Sequence, residues 1–362
     1  MSKIAKLETG RIVVPLKKPF KTALRTVTAI DNVIVKVIAD SGQIGYGEAA
    51  PTAVITGDTA GSIRWAVEQV IAPVLIGAEL ENLEEIMLRL ERCIVKNSSA
   101  KAAVDIAIYD LYGQLYQIPL YKLWGGFRKA LVTDLTISVN TPEQMAKDSL
   151  EAVRCGYEVL KIKVGKDPAL DLRRLQAIRA AVGYDVKLRI DANQGWKPKE
   201  AVVIIQQMED EGLQIELVEQ PVVAHDLEGL KFVTDRVMTP VMADESVFSP
   251  LDAVKLLQTR AADLINLKLM KTGGVHNALK ICALAEIYGV ECMVGCMMET
   301  KVSVTAAVHL AAAKSIITRV DLDSPVLCST DPVVGGAVFD KSKISLTDCP
   351  GFGFQRLDGL IQ

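Results

Sequence analysis

Lys163, Asp191, Glu219, Asp244 and Lys268 recur along the middle of the chain at intervals of 28, 28, 25 and 24 residues. Each stands where an apolar run stops: Val159 to Gly165, Lys187 to Asn193, Glu216 to Pro221, Val241 to Glu245, and Leu264 to Lys268. The three acids form an all-oxygen donor set without His or Cys, which suits a Mg²⁺ ion that keeps positions open for water and substrate. Taken singly, each acid reads as the N-cap of a following helix. Three in register, with a lysine on either side, point instead to one metal ion per subunit, because converging carboxylates repel without a cation. A lysine beside a dication has a lowered pKa and can serve as a base near neutrality. Lys163 and Lys268 lie on opposite sides of the acids in strand order, so one can take a proton from a bound carbon and the other return it on the opposite face. Such a transfer next to a carboxylate needs the developing charge neutralised, which a metal provides.

Two further pairs share this logic. Lys161 lies two residues before Lys163, on the same strand face. Asp321 and Asp323 also share a face, at the end of the run from Ile316. Two close carboxylates call for a cation, and with the metal held elsewhere a substrate ammonium fits; a pair of loop caps is the plainer alternative. Thr272-Gly273-Gly274 lacks the spacing of a phosphate loop and reads as a tight turn into a helix starting near Val275. His225, His276 and His309 are scattered and receive no catalytic role. Cys296 falls at a strand end facing the pocket, and Cys292 in the core.

The interval itself dictates the elements. A buried parallel strand, its helix and two loops take about 25 residues or slightly more, and right-handed crossovers lay successive strands side by side. Their C-terminal ends then share one rim, where (β/α) barrels hold their reactive groups. Strand one is expected at Leu135–Val139, strand seven at Val290–Cys296 and strand eight at Ile316–Asp323, with no helix of barrel length afterwards. The expectation is a (β/α)7β modified TIM barrel over residues 126–329. Residues 1–125 break the alternation: strands at Arg11–Leu16 and Asn32–Ile38, a turn at Asp40-Ser41-Gly42, then helices near 60–75, 82–96 and 99–116, the last capped by Ser98 or Ser99. They read as an α+β capping domain, with the tail 330–362 packing back on it. Two loops, Lys17 to Thr26 and Pro51 to Thr59, read as solvated connections or as a lid over the rim.

Composition removes other classes of function. At 362 residues, half hydrophobic but only 5% aromatic, the chain can bury a large aliphatic core. A formal net charge of −3 offers no basic stripe for nucleic acid and no patch for a membrane. Seven dispersed cysteines without Cys-x-x-Cys indicate a reducing compartment. The segment Met1–Lys6 has no signal-peptide core, and no run is long and apolar enough to span a bilayer. A cytoplasmic location is expected. The oligomeric state stays open, a homo-oligomer included.

Lys161-Ile162-Lys163, Asp191-Ala192-Asn193, Glu219-Gln220-Pro221, Asp244-Glu245 and Lys268 together resemble the muconate-lactonizing subgroup of the enolase superfamily. The likeness extends over the whole chain, Ala100–Ala107 included, and Asp321-Leu322-Asp323 narrows it to the dipeptide epimerases. Enolase-superfamily sites in general combine a Lys or His base with one or two Mg²⁺ ions. The resemblance implies that Lys163 and Lys268 exchange the α-proton of a dipeptide's C-terminal residue. It implies that the metal binds the terminal carboxylate, that Lys161 supports the carboxylate or enolate, and that Asp321 and Asp323 bind the α-ammonium. Thr136, Cys296 and Met298 match substrate-contacting positions, Cys296 replacing a serine and Met298 a branched residue. Arg25 matches an arginine that pairs with a glutamate side chain, a role suited to its bidentate fork. The implied substrate is L-Ala-D-Glu or L-Ala-L-Glu, and breakdown of cell-wall peptides is the setting the likeness suggests. The alternatives are a dipeptide epimerase for hydrophobic or cationic residues, a cycloisomerase, or an o-succinylbenzoate synthase. The latter two act on substrates without an ammonium. A non-catalytic protein on the same scaffold would have lost a lysine or a ligand, and all five are present.

Overall fold

Eight short strands, all parallel to their neighbours, run in sequence order around a barrel: Leu135–Ile137, Val159–Lys163, Lys187–Asp191, Ile215–Glu219, Val241–Ala243, Leu264–Leu267, Cys292–Gly295 and Ile317–Asp321. The structure is a computed structural model that describes residues 2–22 and 24–361. Met1, at the head of the segment read for a leader, and Ala23, within the Lys17–Thr26 connection, lie outside the described residues.

Seven crossovers carry a helix, and several begin with the same local chemistry. Thr141, Asp167 and Ser249 each precede a proline at the first helical position, and their side chains accept from the backbone N–H groups of Gln144, Leu170 and Asp252. That arrangement satisfies an orphan donor and presets φ. After strand eight only the turn Ser324–Leu327 follows. Strands one and eight meet without a ladder. Leu322 N donates to Thr133 Oγ1 at 2.9 Å, and Thr136 N donates to Asp323 Oδ2 at 2.7 Å.

An antiparallel sheet of Ile4–Lys21, Thr26–Ala39 and Ile44–Ala49 stands beside the barrel. The helix Ser98–Leu115 fills the space between them and is buried over nearly its whole length. Its backbone lies directly on the third strand: a Cβ at Gly47 would fall 1.8 Å from Ala103 O, and one at Gly45 2.0 Å from Ala107 O. Only glycine permits that approach. Asp105 of this helix accepts from the backbone N–H groups of Val275 (2.6 Å) and His276 (3.2 Å), and so caps the barrel helix Val275–Tyr288. The tail touches the first sheet through a two-way backbone pairing of Arg11 with Ile361, and also pairs with the strand Ala130–Val132 through Lys343–Ser345. Among the described residues no helix is long and apolar enough to cross a membrane.

Three local expectations are corrected. The connection expected at Lys17–Thr26 is largely strand: the first strand runs to Lys21, and Lys21 pairs with Thr26 after a register shift between Pro15 and Phe20. Lys17, Lys18, Pro19 and Lys21 interrupt any apolar alternation there, so the pairing is invisible in the sequence. Ser98 and Ser99 do not cap their helix. Asn97, at φ 51°, takes the cap position, and Asp58 accepts from Ser99 N at 3.0 Å, a cap supplied from 41 residues away. The helix near 60–75 is interrupted by a π segment, Ala66–Ile71, in which Ala72 N reaches back to Val67 O. Pro73 has no N–H to continue the regular ladder, which accounts for the widened turn.

Candidate active site

Parallel pairing brings the rim residues into direct register: Lys163 lies opposite Asp191, and Asp191 opposite Glu219. Asp244 follows one residue past strand five, and Lys268 one past strand six. All five are buried. Lys163 Nζ lies 2.6 Å from Asp191 Oδ2, and Lys268 Nζ 2.7 Å from Asp244 Oδ2. Lys161 Nζ occupies the middle, 2.7 Å from Glu219 Oε2, 3.1 Å from Asp191 Oδ2 and 2.7 Å from Asp321 Oδ2. Six strand ends, those of strands two to six and of strand eight, therefore converge on one point.

The electrostatics follow from that crowding. Burial opposes ionisation of Asp191, but Lys163 and then Lys161 outweigh it and hold its carboxyl well below the usual range. Asp244 behaves likewise, with Lys268 and Lys271 as the dominant cations. Glu219 is pushed up to about 7, by burial first and then by Asp191. Desolvation disfavours the Lys268 ammonium, yet Asp244 reverses the balance and raises it. Lys161, Lys163 and Lys268 thus each lie against one or more of the carboxylates Asp191, Glu219 and Asp244. No group of three or more His, Cys, Asp or Glu side chains is gathered at metal-ligating spacing among the described residues. The donor set nevertheless fits a hard cation. Beside Asp244, both oxygens of Glu245 are buried without a hydrogen-bond donor, and buried oxygens of that kind call for a cation.

A cavity of about 50 Å³ opens onto the lysines. Thr136, Lys161, Cys296, Met298 and Asp321 wall it from the barrel, and Arg25 from the hairpin tip. A wider groove of about 720 Å³ reaches the same place at Phe20 and Thr136. Arg25 has no carboxylate partner among the described residues, and burial lowers its pKa. Asp321 and Asp323 are not equivalent. Asp321 pairs with Lys161, whereas Asp323 accepts from Thr136 N and is raised to about 6 by burial and by Asp321. Burial also raises the Cys296 thiol, which suits a wall and not a nucleophile.

Sequence reasoning missed Lys271 and Asn266. Lys271 is fully buried, 2.7 Å from Asp244 Oδ1, and donates to the carbonyls of Asn266 (3.0 Å) and Asp244. Asn266 Nδ2 donates to Glu219 Oε1 at 2.8 Å. Its place two residues before Lys268 on the same strand face was the available signal. Lys271 sits in the turn Leu269–Thr272, where strand periodicity no longer applies. Of the three histidines, His309 accepts from Tyr121 N at 3.0 Å in the core and His276 packs by Tyr109, both away from the rim.

Comparison with known proteins gives a consistent picture. The sequence model for the mandelate racemase / muconate lactonizing enzyme N-terminal domain matches residues 6–125, and that for the enolase C-terminal domain-like family matches residues 144–358. The L-Ala-D/L-Glu epimerase of Clostridium acetobutylicum is 63% identical over 349 residues, covering 96% of this chain and 98% of its own. A substrate-liganded structure of the L-Ala-D/L-Glu epimerase from Bacillus subtilis superimposes with a TM-score of 0.97 at 54% identity, over 99% of this chain and 100% of that one. The dipeptide epimerase from Enterococcus faecalis, complexed with Mg and L-Leu-L-Tyr, gives a TM-score of 0.95 at 45% identity, over 98% of this chain and 100% of its own.

Proposed function

The chain belongs to the mandelate racemase / muconate lactonizing enzyme family of the enolase superfamily, and from that premise we propose that it epimerises a dipeptide at the α-carbon of its C-terminal residue. The observation that carries this reading is the pair of buried lysines, Lys163 and Lys268, on barrel strands two and six with three carboxylates between them. Asp191, Glu219 and Asp244 would hold Mg²⁺. When bound, the ion neutralises the charge that develops on the substrate carboxylate as the α-proton leaves. One lysine, as the free amine, takes the α-proton; the other, as ammonium, delivers a proton to the opposite face. Carbon configuration inverts and no atom is gained or lost. Lys161 lies against the carboxylates and supports the same developing charge. Asp321 and Asp323 receive the dipeptide's α-ammonium beside Thr136.

Arg25 selects the second residue. A half-buried guanidinium facing the cavity without an acidic partner among the described residues is matched by a glutamate γ-carboxylate. L-Ala-D-Glu and L-Ala-L-Glu are thus the substrates, as for the relatives at 54% and 63% identity. A second reading, an uncharged second residue, draws on the apolar side chains Phe20, Leu24, Ile55 and Met297 that share the cavity. We place the reaction in the cytoplasm, where seven unpaired cysteines are at home; cell-wall peptides as the substrate source rest on the family likeness alone. The test is incubation with Mg²⁺ and L,L-dipeptides in D₂O, read by mass spectrometry. A gain of one mass unit, greatest for L-Ala-L-Glu and abolished by EDTA, is expected. Exchange on other dipeptides but not on L-Ala-L-Glu removes the glutamate assignment, and exchange on none removes the epimerase.

A further inference from the structure

Glu48, at the end of the third strand of the antiparallel sheet, is fully buried, and three of its four hydrogen bonds reach the barrel. Its Oε1 accepts from Asn32 Nδ2 at 2.7 Å and from Thr300 N at 2.8 Å. Its Oε2 accepts from Thr300 Oγ1 at 2.7 Å and from Ser303 N at 3.1 Å. Two of these donors are backbone N–H groups at the start of the helix Lys301–Ala313, where orphan donors and the helix dipole favour an anion. Asn32 continues the chain of contacts. Its amide nitrogen gives its second hydrogen to the carbonyl of Met298, at 2.9 Å. Both hydrogens are thereby used, and a flipped amide would set its oxygen against two acceptors.

The segment so held, Cys296 to Thr300, forms one wall of the active cavity. A second void, of about 90 Å³, lies behind it and is bounded by Asn32, Arg25 and Met298. Met298 and Arg25 border both spaces, so Met298 forms part of the wall that the two share. Between those two ties a third holds the same end of the segment: Glu299 N donates to Ser324 Oγ at 2.8 Å, and that hydroxyl donates to Glu299 O at 2.7 Å, next to Asp323. Nothing in the segment itself prescribes this position. It has no regular structure between strand seven and its helix, and its internal hydrogen bonds are Met297 N to Glu299 Oε1 at 2.6 Å and Val302 N to Thr300 Oγ1 at 3.3 Å.

We propose that Glu48 and Asn32 are positioning residues for substrate discrimination: from outside the barrel they fix the Met298 partition, and so the space in which the second residue's side chain meets Arg25. Neither touches the substrate; both act through Met298 and Thr300. The choice of dipeptide therefore depends on the registry between the antiparallel sheet and the loop after strand seven as well as on the side chains lining the cavity. The proposal rests on the epimerase reading for its substrates but not for its structural half.

The experiment uses the full-length Mg²⁺-loaded enzyme with Asn32→Ala and Glu48→Gln, the second of which keeps volume while turning one acceptor into a donor. Hydrogen exchange of the peptide spanning Cys296–Ser303 is compared with that of the remaining barrel peptides, and kcat and KM are measured on L-Ala-L-Glu and L-Ala-L-Gln. Exchange in that peptide should rise in both variants while Mg²⁺ affinity, read by calorimetry, stays at the wild-type value. The Glu-to-Gln ratio of kcat/KM should fall about tenfold, mainly through KM, because a wall displaced by about an ångström misplaces the bound side chain. Lower thermal stability with an unchanged ratio would overturn the proposal and leave Glu48 a structural tie alone. Unchanged exchange in the peptide would overturn it too. A wild-type protein inert on every dipeptide would count against the epimerase reading, and the exchange measurement would still decide whether the two residues hold the segment.

Discussion

Replacing Arg25 by alanine should convert a glutamate-selective enzyme into one that barely distinguishes Glu from Gln. The guanidinium faces the cavity, burial already disfavours its charge, and no carboxylate of the described residues compensates it. A substrate γ-carboxylate would supply one or two charge-assisted hydrogen bonds, each contributing about 1.5–3 kcal/mol. Removing one partner of such a desolvated pair costs about 2–5 kcal/mol, since the substrate carboxylate is left in the site unpaired. The middle of that range, about 3–4 kcal/mol, predicts a fall in kcat/KM of roughly 10²–10³ for L-Ala-L-Glu. For L-Ala-L-Gln, whose neutral amide can accept one hydrogen bond and leaves no charge unpaired when it is lost, the fall should stay near tenfold, about 1.5 kcal/mol. Arg25→Lys should fall between, retaining charge without the planar fork. The assay is deuterium incorporation at the α-carbon under Mg²⁺ saturation, with both dipeptides in one reaction so that their ratio is internal. An equal loss on both substrates would refute the specificity argument and make Arg25 a general support of the hairpin tip. Full activity of Arg25→Ala on L-Ala-L-Glu would remove it altogether.

Lys163→Ala and Lys268→Ala should each lower epimerisation by at least about 10³-fold, yet each should retain α-deuterium exchange on one enantiomer only, opposite in the two variants; loss of exchange on both enantiomers in either variant would contradict the two-base arrangement. Gly295→Ala should impair turnover with little change in unfolding midpoint, because the new Cβ would lie 2.9 Å from Asn266 Oδ1 and 3.1 Å from Lys268 Cε and push the lysine from its place; normal kcat would show that Lys268 tolerates the displacement. His309 gives a stability prediction. Burial lowers its pKa to about 3 from an ordinary 6.5, so the folded chain binds this proton less tightly than the unfolded chain. The stability its neutral ring confers is complete above pH 6.5 and declines as pH falls towards 3, by up to about 1.4 kcal/mol per pH unit. Urea titrations at pH 7.5, 6 and 5 should show that decline in the wild type and a shallower one in His309→Gln; parallel declines would assign the acid sensitivity to other groups.

The barrel was legible because its signal repeats. Apolar runs that end in Lys163, Asp191, Glu219, Asp244 and Lys268 carry the strand, its direction and its rim end together, and a single interval orders them. Lys271 escaped because it lies in a turn, where neither period applies, and Asn266 because an amide gives no charge signal. The caps were less legible for a different reason. Asp58, Glu48 and Asp105 serve helices far away in sequence, and a local pattern such as Ser98-Ser99 cannot compete with a partner brought in by tertiary packing. The part played by Lys161 was also hidden: strand alternation predicts that it points inward, but not that its ammonium lies within 3.1 Å of three carboxylates.

Asp105 reaches out of the helix Ser98–Leu115 to cap the start of the barrel helix Val275–Tyr288, whose own cap residue, Gly274, has no side chain to offer. The order of synthesis then matters. The ribosome releases the acid about 170 residues before the amides it will receive, so the earlier half of the chain emerges with a buried-type carboxylate still in water. The barrel that follows cannot cap that helix alone. Exchange of segments between relatives is constrained in the same way: a graft of the barrel onto a foreign N-terminal half succeeds only where an acid arrives at the same height over Val275. The two parts are joined by a bond that neither can supply by itself.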